Sequence, residues 1–287
     1  MTKALVLLLP SVLLTASVDG RTQDVTFSSR VEAVRVDVLV TRNGRPVPAL
    51  GPADFEIRDN DVPQQIDLVS VERIPLNLVL ALDMSDSVAG NRLDQLRAAG
   101  RTILAGLRPE DKAAVVTFSH EVRLGTVLTH DLTLARSALE RVSGAGSTSL
   151  IDGTYAGIQL GESDAGRALL IIFSDGLDTA SWLSAEKVLD AVKRSDVVAY
   201  SVAVRSPAKP DFLRDVTSLT GGRLFEVSGK QTVEKIYAQI EEDLRNQYSL
   251  GYTPDRSDPG EGFHKISVKT RQKDLVVHAR EEYYWGQ

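Results

Sequence analysis

LVLALDMSDSVAG, residues 78–90, runs unbroken apolar side chains into Asp83 and then sets Ser85 and Ser87 at every second position after it. A short, almost continuous apolar run suits a parallel strand covered on both faces, and three hard oxygen donors at its end mark a place where something is held. The runs LNLVLALD, AAVVTFS, ALLIIFSD and VVAYSVAV repeat the pattern. Between them lie segments of helical period. In RLDQLRAAGRTILAGL, Leu93, Leu96, Ile103, Leu104 and Leu107 share one face, and AEKVLDAVKRSD and VEKIYAQIEEDLRNQY behave alike. Strand and helix in alternation predict an α/β fold with a doubly wound, mostly parallel sheet over residues 76–247.

Outside that stretch the period changes to two. VRVDVLV (34–40) alternates before the turn signal Asn43-Gly44, DFEIRD and IDLVSV follow, and the alternation returns in FHKISVKT and LVVHAR near the other end. Neither flank makes a comfortable core alone. The expectation is that residues 24–73 and 249–284 pair into one small antiparallel β-domain, into which the α/β domain is inserted.

Residues 1–20 differ again: Lys3, the apolar run ALVLLLPSVLL and the small residues TASVDG have the order of a secretory signal peptide, cleaved after Ala16 or after Gly20. A membrane anchor would need roughly 20 apolar residues, and Pro10 interrupts this shorter run. A secreted, periplasmic or cell-envelope product without a transmembrane span is expected. The chain holds no cysteine, which excludes disulfides, thiolate metal sites and a cysteine lipid anchor. Its formal net charge of -6, with no cluster of Lys and Arg, excludes nucleic acid as the partner.

Ligands of an open α/β sheet bind outside the carboxyl ends of its strands. Asp83, Ser85 and Ser87 fall there, as does Asp175 at the end of LLIIFSDGLD, while GAGSTSLIDG sets Thr148 in a glycine-flanked loop before another helix. Hydroxyls and carboxylates without Cys or His suit a hard divalent cation such as Mg²⁺. Each residue also has a plainer role: Ser87 or Asp86 as a helix cap, Thr148 as the cap of the next helix, Asp175 as the opening of the turn at Gly176.

The three stretches in this order resemble the metal-ion-dependent adhesion site of the von Willebrand factor type A (VWA) family, and the flanks VRVDVLVTRNGRPV, DFEIRDND and QYSLGYTP are similar to those around such domains in secreted bacterial proteins. The resemblance implies a metal held by Asp83, Ser85, Ser87, Thr148 and Asp175: Mg²⁺, with Mn²⁺ or Ca²⁺ as substitutes. Asp86 departs from the glycine that many members carry. It implies cell adhesion or another protein–protein interaction, in which the partner's carboxylate or another anionic oxygen completes the metal shell. The β-domain would be a stalk, and the last helix, 231–247, would couple the site to it.

Two other readings stand beside adhesion. One is a structural envelope module whose metal site only stabilises loops, or is empty. The other is a haloacid-dehalogenase-like phosphatase, with Asp83 opening its first motif and Ser174 its second; Ser85 then stands where that family usually has an acid. Enzyme motifs of other classes (HExxH, GxSxG, GxGxxG, GxxxxGK[ST]) are absent. The four histidines read as surface or ordinary structural residues, Trp182 as a packed or partly exposed structural residue ahead of a partner contact at the metal rim, and Tyr283, Tyr284 and Trp285 as cover for the β-domain ahead of a recognition patch.

Overall fold

Asn43 and Gly44 both adopt positive φ, 52° and 78°, which is what a two-residue hairpin matched to strand twist requires. They join β1 (Val34–Arg42) to β2 (Arg45–Pro46), and β3 (Phe55–Asp59), β4 (Val62–Gln64) and β5 (Ile66–Ser70) complete the opening segment. The computed structural model describes residues 33–71, 74–86, 90–141, 146–204, 209–227, 233–254 and 261–285. The leader expected at 1–20 lies outside these residues.

The central segment alternates as its periodicity requires. It runs β6 (Leu76–Asp83), α1 (Asn91–Gly106), β7 (Lys112–Phe118), β8 (Val122–Thr129), α2 (Leu132–Glu140), α3 (Leu150–Gly161), β9 (Arg167–Ser174), α4 (Ala185–Arg194), β10 (Val198–Val204), α5 (Asp211–Thr220), β11 (Leu224–Val227) and α6 (Val233–Arg245). The six strands form one sheet in the order β11-β10-β9-β6-β7-β8. All neighbours are parallel except β7 and β8, which are antiparallel.

The apolar runs are explained by burial on both sides. Leu78, Leu80 and Leu82 face a core completed by Leu96, Leu139 and Ile240 from α1, α2 and α6. Val79 and Ala81 face the other core, closed by Ile158, Val188 and Leu213 from α3, α4 and α5. Each such fully buried Leu or Ile contributes about 1.5–3 kcal/mol. The helices are set locally as well: Ser184 caps α4 through the Lys187 N–H at 3.4 Å, and Val188 and Val192 bury its inner stripe.

The closing segment is β12 (Tyr248–Tyr252), β13 (Gly262–Thr270), β14 (Val276–Ala279) and β15 (Glu282–Trp285). It pairs antiparallel with the opening one: β1 lies between β12 and β14, and β3 pairs with β13. Two sheets result, β14-β1-β12-β5 with β2 attached, and β15-β13-β3-β4. They share one core of Val36, Val38, Val40, Phe55, Ile57, Tyr252, Ile266 and others, with Tyr283 inside it.

The central segment joins these sheets at the amino edge of its own sheet. Arg167, the first residue of β9, donates its backbone N–H to the Pro75 carbonyl at 2.9 Å and pairs with Asp37 of β1 at 3.0 Å. Its guanidinium also donates to the Gln247 side chain, between α6 and β12. The carboxyl ends of β6 and β9 therefore point away from the junction. Among the described residues no helix is long and apolar enough to cross a membrane.

Candidate metal centre

The connections from β6 lead to β7 on one side, while β9 lies on its other side, so the crevice beyond β6 and β9 is the switch point of the doubly wound sheet. Asp83 and Asp175 are at that point. Register places Leu82 beside Phe173, so Asp83 meets Ser174 across the two strands, and the Ser174 hydroxyl donates to Asp83 Oδ2 at 2.7 Å. Asp83 Oδ1 accepts the Ser85 N–H at 2.9 Å.

Three loops at this edge are tied to one another. Asp86 donates its N–H to the Gly146 carbonyl at 3.1 Å and accepts the Gly146 N–H on Oδ1 at 3.0 Å. The Thr148 carbonyl in turn accepts the N–H groups of Thr179 and Ala180 at 2.9 and 3.0 Å, and the Thr148 N–H donates to the Thr179 hydroxyl at 2.9 Å. The ring closes through Ser174 and Asp83. Asp83, Ser85, Thr148 and Asp175 thus stand on three mutually bonded loops, each side chain buried to 5% exposure or less. Ser87 lies outside the described residues.

The plainer roles divide. The N-cap of α1 is Gly90, and that of α3 is Ser149 with no side-chain capping bond, so neither Asp86 nor Thr148 caps a helix. Asp175 does shape its turn: Oδ1 accepts the Leu177 N–H at 3.1 Å, ahead of Gly176 at φ 84°. That leaves Oδ2 for another role.

Electrostatically the centre is short of positive charge. Burial raises the Asp83 pKa above the ordinary carboxylate value; hydrogen bonds from Ser85 and Ser174 oppose the rise, and the negative charge of Asp175 adds to it. Among the described residues no Lys, Arg or His forms an ion pair with either carboxylate. Nor do three His, Cys, Asp or Glu side chains converge there as a metal-binding group. The donor set is two carboxylates with neutral hydroxyls, which fits a hard divalent cation and not a soft one.

Sequence reasoning named Ser174 only within the phosphatase reading and passed over two further contributors. Ser174 orients Asp83, Asp152 at the start of α3 accepts the N–H groups of Trp182 and Leu183 at 2.9 Å each, and Asp178 Oδ1 accepts the Ile151 N–H at 3.2 Å. Their signal, a short polar residue one to three positions from a strand or helix end, is too common to single them out. Trp182 corrects the expectation of a packed or partly exposed residue. Its side chain is 95% exposed.

Comparison with known proteins agrees with this topology. Inter-alpha-trypsin inhibitor heavy chain H2 of Sus scrofa is 26% identical over 203 residues, 64% of this chain and 22% of that protein, so the chain spans about a fifth of the length of this relative. The solved von Willebrand factor type A protein of Catenulispora acidiphila superposes with a TM-score of 0.54 at 11% identity, covering 90% of this chain and 74% of that one. Mussel byssus proximal thread matrix protein 1, solved with a zinc-occupied MIDAS motif, superposes with a TM-score of 0.52 at 18% identity over 63% of this chain and 48% of its own. The model of the von Willebrand factor type A domain matches residues 77–239, more than half of the sequence, and the chain belongs to that family.

Proposed function

We propose that the protein is a binding or adhesion module that recognises a carboxylate or other anionic oxygen of a partner through a divalent cation, Mg²⁺ in the first instance, held by Asp83, Ser85, Ser87, Thr148 and Asp175. The observation that carries this reading is the ring of hydrogen bonds fixing three loops around two buried carboxylates with no described cationic partner. Oxygen donors carried on these bonded loops would restrain a cation at the edge of the sheet, and neutral hydroxyls would leave it net positive character with which to attract an outside anion.

The location of the site supports presentation outward. The carboxyl edge of the central sheet faces away from the two antiparallel sheets, which fits a layout of residues 76–247 as the recognition domain carried on a β-domain of 24–73 and 249–284. The leader-like residues 1–20 fit export to the envelope or beyond. Binding, and no catalysis, is the activity proposed.

Partner binding in the native envelope fraction, measured with Mg²⁺, with EDTA and with Asp83→Ala, tests the reading. Loss in both treatments is expected. Undiminished binding in both removes the metal from the mechanism. Metal-dependent thermal stabilisation without metal-dependent binding reduces the site to a loop-stabilising role.

A further inference from the structure

Trp182 has the greatest relative exposure among the large hydrophobic side chains described, yet its backbone is fixed. Asp152 accepts the N–H groups of both Trp182 and Leu183, the Ser181 hydroxyl accepts the Asp152 N–H at 3.2 Å and donates to Asp178 Oδ1 at 2.5 Å, and Thr179 and Ala180 are bonded to the Thr148 carbonyl. The indole is therefore presented on a loop built into the first turn of α3 and onto a candidate metal ligand. A large, rigid aromatic side chain loses little conformational entropy on binding, and at 95% exposure this indole is open to a partner.

The charge around it selects the complement. Asp83, Asp86, Asp152, Asp175 and Asp178 lie on the same bonded loops, and among the described residues none of the five forms an ion pair. A divalent cation would offset two of these charges. Among the described basic residues beside these loops, Lys209 precedes the Pro210 that abuts Gly176 and Lys187 lies on the first turn of α4; neither forms a described ion pair with these carboxylates. A purely acidic ligand would meet the surplus negative charge, whereas a cation lying on the indole face would meet both it and the π-system.

We propose that Trp182 is a specificity-determining contact that takes a lysine or arginine side chain on its indole, so that the recognised partner is a polypeptide segment in which this cation flanks the carboxylate directed to the metal. The inference rests on the metal-dependent reading of the same edge.

Selection of a random heptapeptide phage library on the full chain in Mg²⁺, in parallel with Trp182→Ala, Trp182→Phe and Asp83→Ala, separates the two. Wild-type protein should enrich peptides that carry Asp or Glu together with Lys or Arg. Trp182→Ala should keep the acidic enrichment and lose the basic one, and a synthetic peptide from the wild-type pool should bind it about tenfold more weakly, with Trp182→Phe intermediate. The exposed position leaves the melting temperature of the Trp182 variants unchanged, so lost binding is not lost folding. Acidic peptides without a basic excess, an apolar excess in its place, a basic excess that persists in Trp182→Ala, or no enrichment at all overturns the role of Trp182. Selection that ignores EDTA and Asp83→Ala overturns the metal reading instead.

Discussion

Ser174 donates its hydroxyl to Asp83 across the β6–β9 pair at 2.7 Å, so the central carboxylate of the candidate site is oriented by a side chain one residue before Asp175. One hydrogen bond couples two of the three loops. It also leaves a buried charge whose ionised form burial disfavours.

Asp83→Asn is expected to separate metal binding from folding. Without metal the variant should be no less stable than wild type, because it removes an unpaired buried charge beside Asp175. With Mg²⁺ at about 100 times its dissociation constant, wild type should gain about 2.7 kcal/mol, or about 5–8 °C in melting temperature, and the variant none. Thermal unfolding with and without EDTA checks both halves. Equal Mg²⁺ stabilisation of the two proteins would place the ion elsewhere.

The sequence makes the central sheet readable because burial on both faces leaves no room for polar residues: LNLVLALD, residues 76–83, coincides with β6. The same logic fails for β8. VRLGTVLT sits at the sheet edge with its residues only partly buried or exposed, so neither a continuous run nor a clean alternation marks it. That the two flanks pair was reachable from core size, since neither makes a comfortable core alone, but which strands pair, β1 with β12 and β14, was not. In the candidate site the strand-end positions of Asp83 and Asp175 were legible, because a carboxylate after an apolar run is conspicuous. The exposure of Trp182 was not: nothing in GLDTASWLSAEK shows that Asp152, about thirty residues earlier, holds that backbone outward.

Asp59 is expected to be the most sensitive polar residue of the antiparallel sheets. It is 1% exposed; Oδ2 accepts the hydroxyls of Tyr252 and Tyr283 at 2.7 Å each, and Oδ1 lies 3.0 Å from His264 Nδ1. Asp59→Ala strands several buried groups at once and should cost about 3–5 kcal/mol, while Tyr252→Phe should cost about 1 kcal/mol. Urea unfolding of the two variants gives the order. A loss no greater for Asp59→Ala than for Tyr252→Phe would mean that the cluster does not act as a unit.

Arg194 at the end of α4 is expected to fasten the central segment to β13 and β15 through its planar face. Its guanidinium carbon lies 4.7 Å from the Phe263 ring centre and 4.1 Å from that of Tyr284, whereas its ion pair to Asp190 is a surface pair at 3.4 Å. Arg194→Ala should therefore lower the melting temperature more than Asp190→Ala does, with Arg194→Lys between them. The reverse order would assign the contact to the ion pair.

His278 gives the antiparallel sheets a defined pH response. It lies on β14 opposite Leu39, and burial, helped by the positive charge of Arg223, pushes its pKa down from 6.5 to about 4. The unfolded chain therefore binds the proton more readily than the folded one between these values. The contribution of the neutral imidazole is fully present above pH 6.5 and is lost as pH falls towards 4; solvent screening at this partly exposed position holds the loss to about 1–2 kcal/mol. Glu162 and Asp243, whose pKa values burial raises, act in the opposite sense, so the comparison must be differential. Stability of His278→Gln, relative to wild type, should rise by that amount between pH 7 and pH 4 in urea titrations. A difference that stays constant across that range would show that His278 is as easily protonated in the folded protein as in the unfolded one.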